Sequence, residues 1–155
     1  PTRRSSDLLS VVDLAMPELS IAPNVGDETY RTLNDGSGGF GAPPAGFQMA
    51  TLRNPYGAAT GLLNDDLTTD IVVACQSGIG SLPNGGVAVF LGNPAQPGSF
   101  ITPTPYEFNV DPGASPRPLF VKAADMNLDG RRDLIVSCTG SGKISVLLNA
   151  LPPEP

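Results

Sequence analysis

Asp125, Asn127, Asp129 and Asp133 stand at positions 1, 3, 5 and 9 of the stretch DMNLDGRRD, with Gly130 at position 6. Carboxylates crowded this closely repel one another unless a cation lies among them. Calcium suits such a set, because it takes about six to eight oxygens from carboxylates, amides, backbone carbonyls and water. The four side chains supply oxygens, the Arg131 carbonyl is placed to add another, and Gly130 permits the sharp turn. The expected cofactor is one calcium ion, with Asp125, Asn127, Asp129, Arg131 and Asp133 as its ligands. The loop is not an EF-hand: position 12 is Val136 rather than Glu, and the flanks read as strands.

Little other chemistry is encoded. The chain contains no histidine, which excludes Ser-His-Asp and Cys-His catalysis and His-ligated zinc. A net charge of -6 without a basic cluster in the body of the chain argues against nucleic acid, and no apolar run approaches the roughly 20 residues of a membrane span. Gly36, Gly38 and Gly41 spell G-x-G-x-x-G, but Pro43 and Pro44 follow where a dinucleotide fold needs a helix, so they read as turn formers. TGSGKIS lacks the first glycine of a P-loop and runs into a strand, which makes Lys143 a hairpin-turn lysine. The chain is not expected to be an enzyme.

The elements that must hold the acidic loop are short. With 18 Gly and 17 Pro in 155 residues, the chain is cut into strands and turns rather than long helices. After the loop come an apolar run, LIVSC, a polar turn, TGSGK, and a second apolar run, ISVLLN, the pattern of a hairpin. NDDLTTDIVVAC and GGVAVFLGN repeat it earlier. Setting Asp70 on Asp133 places Asp66 on Asp129, Asn64 on Asn127 and Cys75 on Cys138. A weaker first copy sets Glu18 on Asp133, and Glu18 to Asn34 spans 16 residues, as Asp133 to Asn149 does. The spacings, 52 and 63 residues, are those of a propeller blade or a similar repeat. Each copy reads as four strands, with FGAPPAGFQM fourth in the first copy, FITPTPYEFN fourth in the second, and none in the third.

The stretch PRPLFVKAADMNLDGRRDLIVSCTGSGKISVLLN resembles an FG-GAP or VCBS-type repeat, the blade of the integrin-alpha-like β-propeller, and NDGSGGFGAP resembles the loop between the last two strands of such a blade. The resemblance is strong in the third copy, moderate in the second and weak in the first. It implies an all-β fold, a partial β-propeller of about three four-stranded antiparallel blades (approximately residues 9–49, 50–110 and 111–155). It further implies calcium between the first two strands of a blade, and adhesion or ligand recognition on secreted or surface proteins. Closed propellers have more blades than three, so the chain reads as a fragment, with the remaining blades among its partners and exposed edges that favour self-association. Residues 1–8, PTRRSSDL, resemble a translated sequencing adapter.

The second copy has Leu62 and Leu67 where the third has Asp125 and Gly130, and the first has Ser10, Val12, Leu14 and Glu18 at the ligand positions. Only the third loop is therefore expected to bind calcium. Cys75 and Cys138, equivalent positions in neighbouring copies, are expected to be too far apart for a disulfide. The leading expectation is a non-enzymatic recognition or adhesion module for a protein or carbohydrate ligand, contacted on the face away from the calcium loops or at the long turn 77–86. The alternatives are the non-catalytic propeller of a secreted polysaccharide-degrading enzyme, and a structural spacer.

Overall fold

The computed structural model describes residues 54–77, 82–96, 99–102, 104–112 and 115–150, preceded by three short strands, β1 (Met16–Pro17), β2 (Glu28–Tyr30) and β3 (Gln48–Ala50). These three pair antiparallel in chain order. The next four strands, β4 (Pro55–Gly61), β5 (Asp70–Cys75), β6 (Gly86–Phe90) and β7 (Tyr106–Phe108), form a second antiparallel sheet, again in chain order. A third sheet contains β8 (Pro118–Ala124), β9 (Asp133–Cys138) and β10 (Lys143–Leu147). Among the described residues there is no helix, and no sheet closes on itself.

Among the described residues the fold is thus all-β and antiparallel, and only the second sheet shows four strands. Its fourth strand is also shorter than the run FITPTPYEFN. Only Tyr106–Phe108 joins the ladder, while Phe100 makes an isolated bridge with Gly92 and Ile101 donates to the Leu91 carbonyl at 2.9 Å. Pro105, which has no N–H, stands directly before the paired residues. The adapter-like residues 1–8, the first-copy positions Ser10, Val12, Leu14 and Glu18, and the glycines of GSGGFG lie outside the described residues.

β5 and β6 read as continuous β-branched runs, DIVVAC and GVAVF, and every residue in both strands is buried. Such runs mark strands covered on both faces. Ile71, Val73, Cys75, Ala88 and Phe90 form one cluster with Leu82, and the Phe90 ring lies 5.4 Å from that of Phe100. Val72, Ala74, Val87 and Val89 point the other way, against Val121, Leu134, Val136 and Cys138 of the third sheet. Full burial of one such aliphatic side chain contributes about 1.5–3 kcal/mol, so this strand pair is the energetic centre of the described fold.

The 63-residue offset that aligns the sequences also aligns the irregularities. The β4–β5 register shifts between Pro55 and Gly57, and the β8–β9 register shifts between Pro118 and Phe120. Asn54 and Arg117, one residue before each strand, both have positive φ, at 53° and 46°. Their carbonyls accept from Gln76 and Thr139, at 3.0 and 3.2 Å.

The second and third sheets approach most closely along their first strands. A Cβ on Gly57 would lie 2.6 Å from the Leu119 carbonyl oxygen, and one on Gly61 3.1 Å from the Ala123 Cβ. Farther out, between β6–β7 and β9–β10, the same sheets leave an apolar cavity of about 410 Å³. They therefore diverge like the sides of a wedge, with small residues at the narrow end. Gly57→Val is expected to push the β8 backbone away and cost about 1–3 kcal/mol, as over-packing of a tight contact does; urea unfolding followed by circular dichroism measures it.

Candidate metal loop

The loop between β8 and β9 is wound by its own side chains. Asp125 accepts from the Leu128 N–H at 2.7 Å and from the Gly130 N–H at 2.9 Å. Asn127 Oδ1 accepts from the Asp129 N–H at 3.2 Å while its Nδ2 donates to Asp129 Oδ2 at 2.8 Å. The Arg131 N–H donates to Asp129 Oδ1 at 2.9 Å and, with Asn127, holds the Asp129 carboxyl below the usual carboxylate range. Gly130 has φ of +88°, a conformation that favours glycine.

The second loop has the same winding without the first aspartate. Asn64 Nδ2 donates to Asp66 Oδ2 at 2.9 Å, the Asp66 N–H to Asn64 Oδ1 at 3.3 Å, and the Thr68 N–H to Asp66 Oδ1 at 2.8 Å. Leu67, at the position of Gly130, takes φ of +60° despite its side chain. At the position of Asp125 stands Leu62, 44% exposed, which offers no acceptor.

Asp133 sits apart from the exposed winding. It is fully buried at the start of β9, and its oxygens accept from the Met126 N–H and the Asn149 N–H, both at 2.8 Å. Asp70 does the same at the start of β5, taking the Leu63 N–H at 2.7 Å and the Gly92 N–H at 2.9 Å. Each carboxylate ties the loop after its sheet's first strand to the residues after its third. Because Asp70 makes this clamp beside a loop without the full ligand set, recurrence of aspartate at this position is accounted for by the clamp alone. The 16-residue interval from Asp133 to Asn149 was the sequence signal of this bond.

Asn149 entered the sequence comparison only as the end of that interval, yet its side chain donates to the Leu63 carbonyl at 2.7 Å and to the Arg132 carbonyl at 3.2 Å, joining the third sheet to the second loop. Lys143, read as a turn residue, opens β10 and pairs with Asp111 at 3.1 Å. Cys75 and Cys138 are both buried thiols. Of the long turn 77–86, the described end buries Leu82 in the core and turns through Gly85 at φ of +86°.

Among the described residues no three His, Cys, Asp or Glu side chains gather as a metal group. The oxygens of Asp125, Asn127 and Asp129 each face an N–H of the loop and retain a second lone pair. As hard oxygen donors on one exposed turn they fit calcium; Asp133 can add only what its two backbone bonds leave free. The chain matches no protein-family model and no curated protein.

Asp70→Ala or Asp133→Ala is expected to leave two N–H groups without their acceptor and to cost roughly 2–5 kcal/mol, whereas Asp129→Ala on the exposed turn costs under about 1 kcal/mol. Equilibrium denaturation of the calcium-free variants compares them.

Burial raises the Asp70 carboxyl above its ordinary value of 3.8, against the lowering by the Gly92 and Leu63 N–H groups. The Lys143 ammonium lowers Asp111 below 3.8. The two act on stability with opposite sign. The Asp70 term is fully present below its unfolded pKa and lost as pH rises through its folded one; the Asp111 term is present above its unfolded pKa and lost as pH falls through its folded one. Carboxyl-carbon NMR titration is expected to give a midpoint above 3.8 for Asp70 and below 3.8 for Asp111.

Proposed function

We propose that the chain is part of a non-enzymatic, calcium-binding recognition or adhesion module of a secreted or surface protein, and that its three sheets are FG-GAP or VCBS-type blades of a partial β-propeller. The observation that carries this reading is the recurrence, 63 residues apart, of one unit in detail: strand, wound acidic loop, clamped second strand and third strand. Successive sheets that stack face to face and diverge outward, as the second and third do, support the propeller arrangement.

In this reading Asp125, Asn127 and Asp129 hold calcium by their side chains and Arg131 by its carbonyl, with Asp133 closing the set from the buried side. When bound, the ion supplies positive charge that relieves the repulsion among the carboxylates and stiffens the turn. The ligand is a protein or a carbohydrate, and the other blades of the propeller are structural partners.

Calorimetric titration with calcium tests the site. One ion per chain is expected, with a dissociation constant of roughly 10⁻⁴–10⁻³ M as in extracellular modules, so calcium at about 1 mM stabilises by about 0.4–1.4 kcal/mol. Asp129→Ala is expected to abolish binding and leave the sheet signal unchanged, while Leu62→Asp with Leu67→Gly creates a second site. No bound ion, or two in the unsubstituted protein, would refute the assignment.

A further inference from the structure

Asn149 and Gly92 hold the same place in their sheets: the backbone N–H of each donates to the buried clamp aspartate, Asp133 at 2.8 Å and Asp70 at 2.9 Å. Their side chains set them apart. A Cβ on Gly92 would lie 2.5 Å from the Thr68 Cγ2, so no side chain fits there. Asn149 carries one, and its amide reaches the Leu63 carbonyl of the second loop at 2.7 Å and the Arg132 carbonyl of its own sheet at 3.2 Å. Two carbonyls can be met only by the two N–H groups of the amide, which fixes the orientation of the side chain.

The bonds at either end make the link continuous. Leu63, whose carbonyl accepts from the Asn149 amide, gives its own N–H to Asp70 at 2.7 Å. Asp133, which accepts the Asn149 backbone N–H, takes the Met126 N–H with its other oxygen, one residue from Asp125. Asn149 therefore meets the candidate calcium set at Asp133 and again one residue from Arg131, and meets the second clamp at Leu63.

We infer that Asn149 is a positioning residue of the calcium loop and carries its state to the second loop, so that an ion bound in the third loop steadies a neighbouring loop without the full ligand set. The inference rests on the calcium reading above. Ligation draws Asp133 and the Arg131 carbonyl toward one point, and the outer partners of metal ligands fix the direction of those ligands and are coupled to binding. Asn149 holds Asp133 and Arg132 from outside the set. Tightening there restricts the Leu63 peptide, and with it the closure of the Asp70 clamp. Gly92, having no side chain, cannot pass the effect onward from that clamp.

Amide hydrogen exchange of the full chain by NMR, with chelator and at saturating calcium, tests the inference. Leu128 and Gly130 report the ion, because their N–H groups lie on Asp125. Val72, buried in β5, reports opening of the whole sheet, and Leu63 reports opening of the second clamp. In the unsubstituted protein, calcium is expected to slow Leu63 by about fivefold or more beyond any slowing shared with Val72. In Asn149→Ala, which keeps the backbone bond to Asp133, that excess is expected to disappear while Leu128 and Gly130 still respond. In Asp129→Ala, all three lose their response. The unsubstituted protein decides the matter even where a variant fails to fold: Leu63 slowed no more than Val72 overturns the inference. So does an excess at Leu63 that survives in Asn149→Ala, which would mean that sheet packing transmits it. No response at Leu128 and Gly130 overturns the calcium reading itself, and this inference with it.

Discussion

The described fold depends on two buried carboxylates. A carboxylate at full burial is tolerated only where donors replace its water, and Asp70 and Asp133 each obtain two backbone N–H groups from segments on either side of their own strand. Such a group cannot be satisfied piecemeal. The loop before it must return to present one N–H, and the chain beyond the hairpin must end its strand in register to present the other. A one-residue slip of either neighbour would leave a buried charge with a missing partner, a cost larger than that of most apolar mispairings. The clamp thus fixes the alignment of three strands at once, which the apolar contacts alone, being non-directional, cannot do.

Much of this was legible in the sequence because it depends on local spacing. The β-branched runs of β5, β6 and β9, the turns after them, and the alignment of Asp70 with Asp133 follow from residue types at short intervals, and the structure repeats them to the level of individual loop hydrogen bonds. What could not be read was the destination of each oxygen. Asp133 satisfies a metal-ligand spacing and a clamp spacing equally well, and only the fold tells which N–H groups it meets. The shortness of β7 was similarly hidden: the apolar pattern of FITPTPYEFN suits a strand, but the ladder involves only Tyr106–Phe108. Asn149 was invisible as a linking residue because its contact with Leu63 spans most of two repeats.

Side-chain size does for the sheets what the clamps do for the strands. Gly57 and Gly61 leave β4 with almost no bulk toward β8, and the Leu119 carbonyl and Ala123 come up against it. Val72, Val87 and Val89 in the middle and outer strands hold the sheets apart. A graded series of small to large residues across one face converts flat stacking into a wedge, and a wedge repeated gives curvature. The same gradient explains why the cavity lies beside β7 and β10 rather than β4 and β8.

The two wound loops separate what the metal would do from what the polypeptide already does. The second loop has the asparagine–aspartate winding of the third without Asp125 and without the glycine, and it holds Leu67 in a left-handed conformation that costs an ordinary residue roughly 1–2 kcal/mol. The short hydrogen bonds of Asp66 and the clamp at Asp70 are enough to offset that strain. The same side-chain-to-backbone hydrogen bonds thus wind the turn in both loops. What the third loop adds is Asp125, a second anchor that gathers the Leu128 and Gly130 N–H groups and brings one more negative charge to an already acidic turn. In a protein where the clamp carries the fold, that extra carboxylate brings like charge to an exposed turn, and the calcium proposal rests on this difference. The third loop carries the same left-handed cost at Leu128, with φ of 65°, besides Gly130 at 88°, so the two loops differ in acidity rather than in backbone strain.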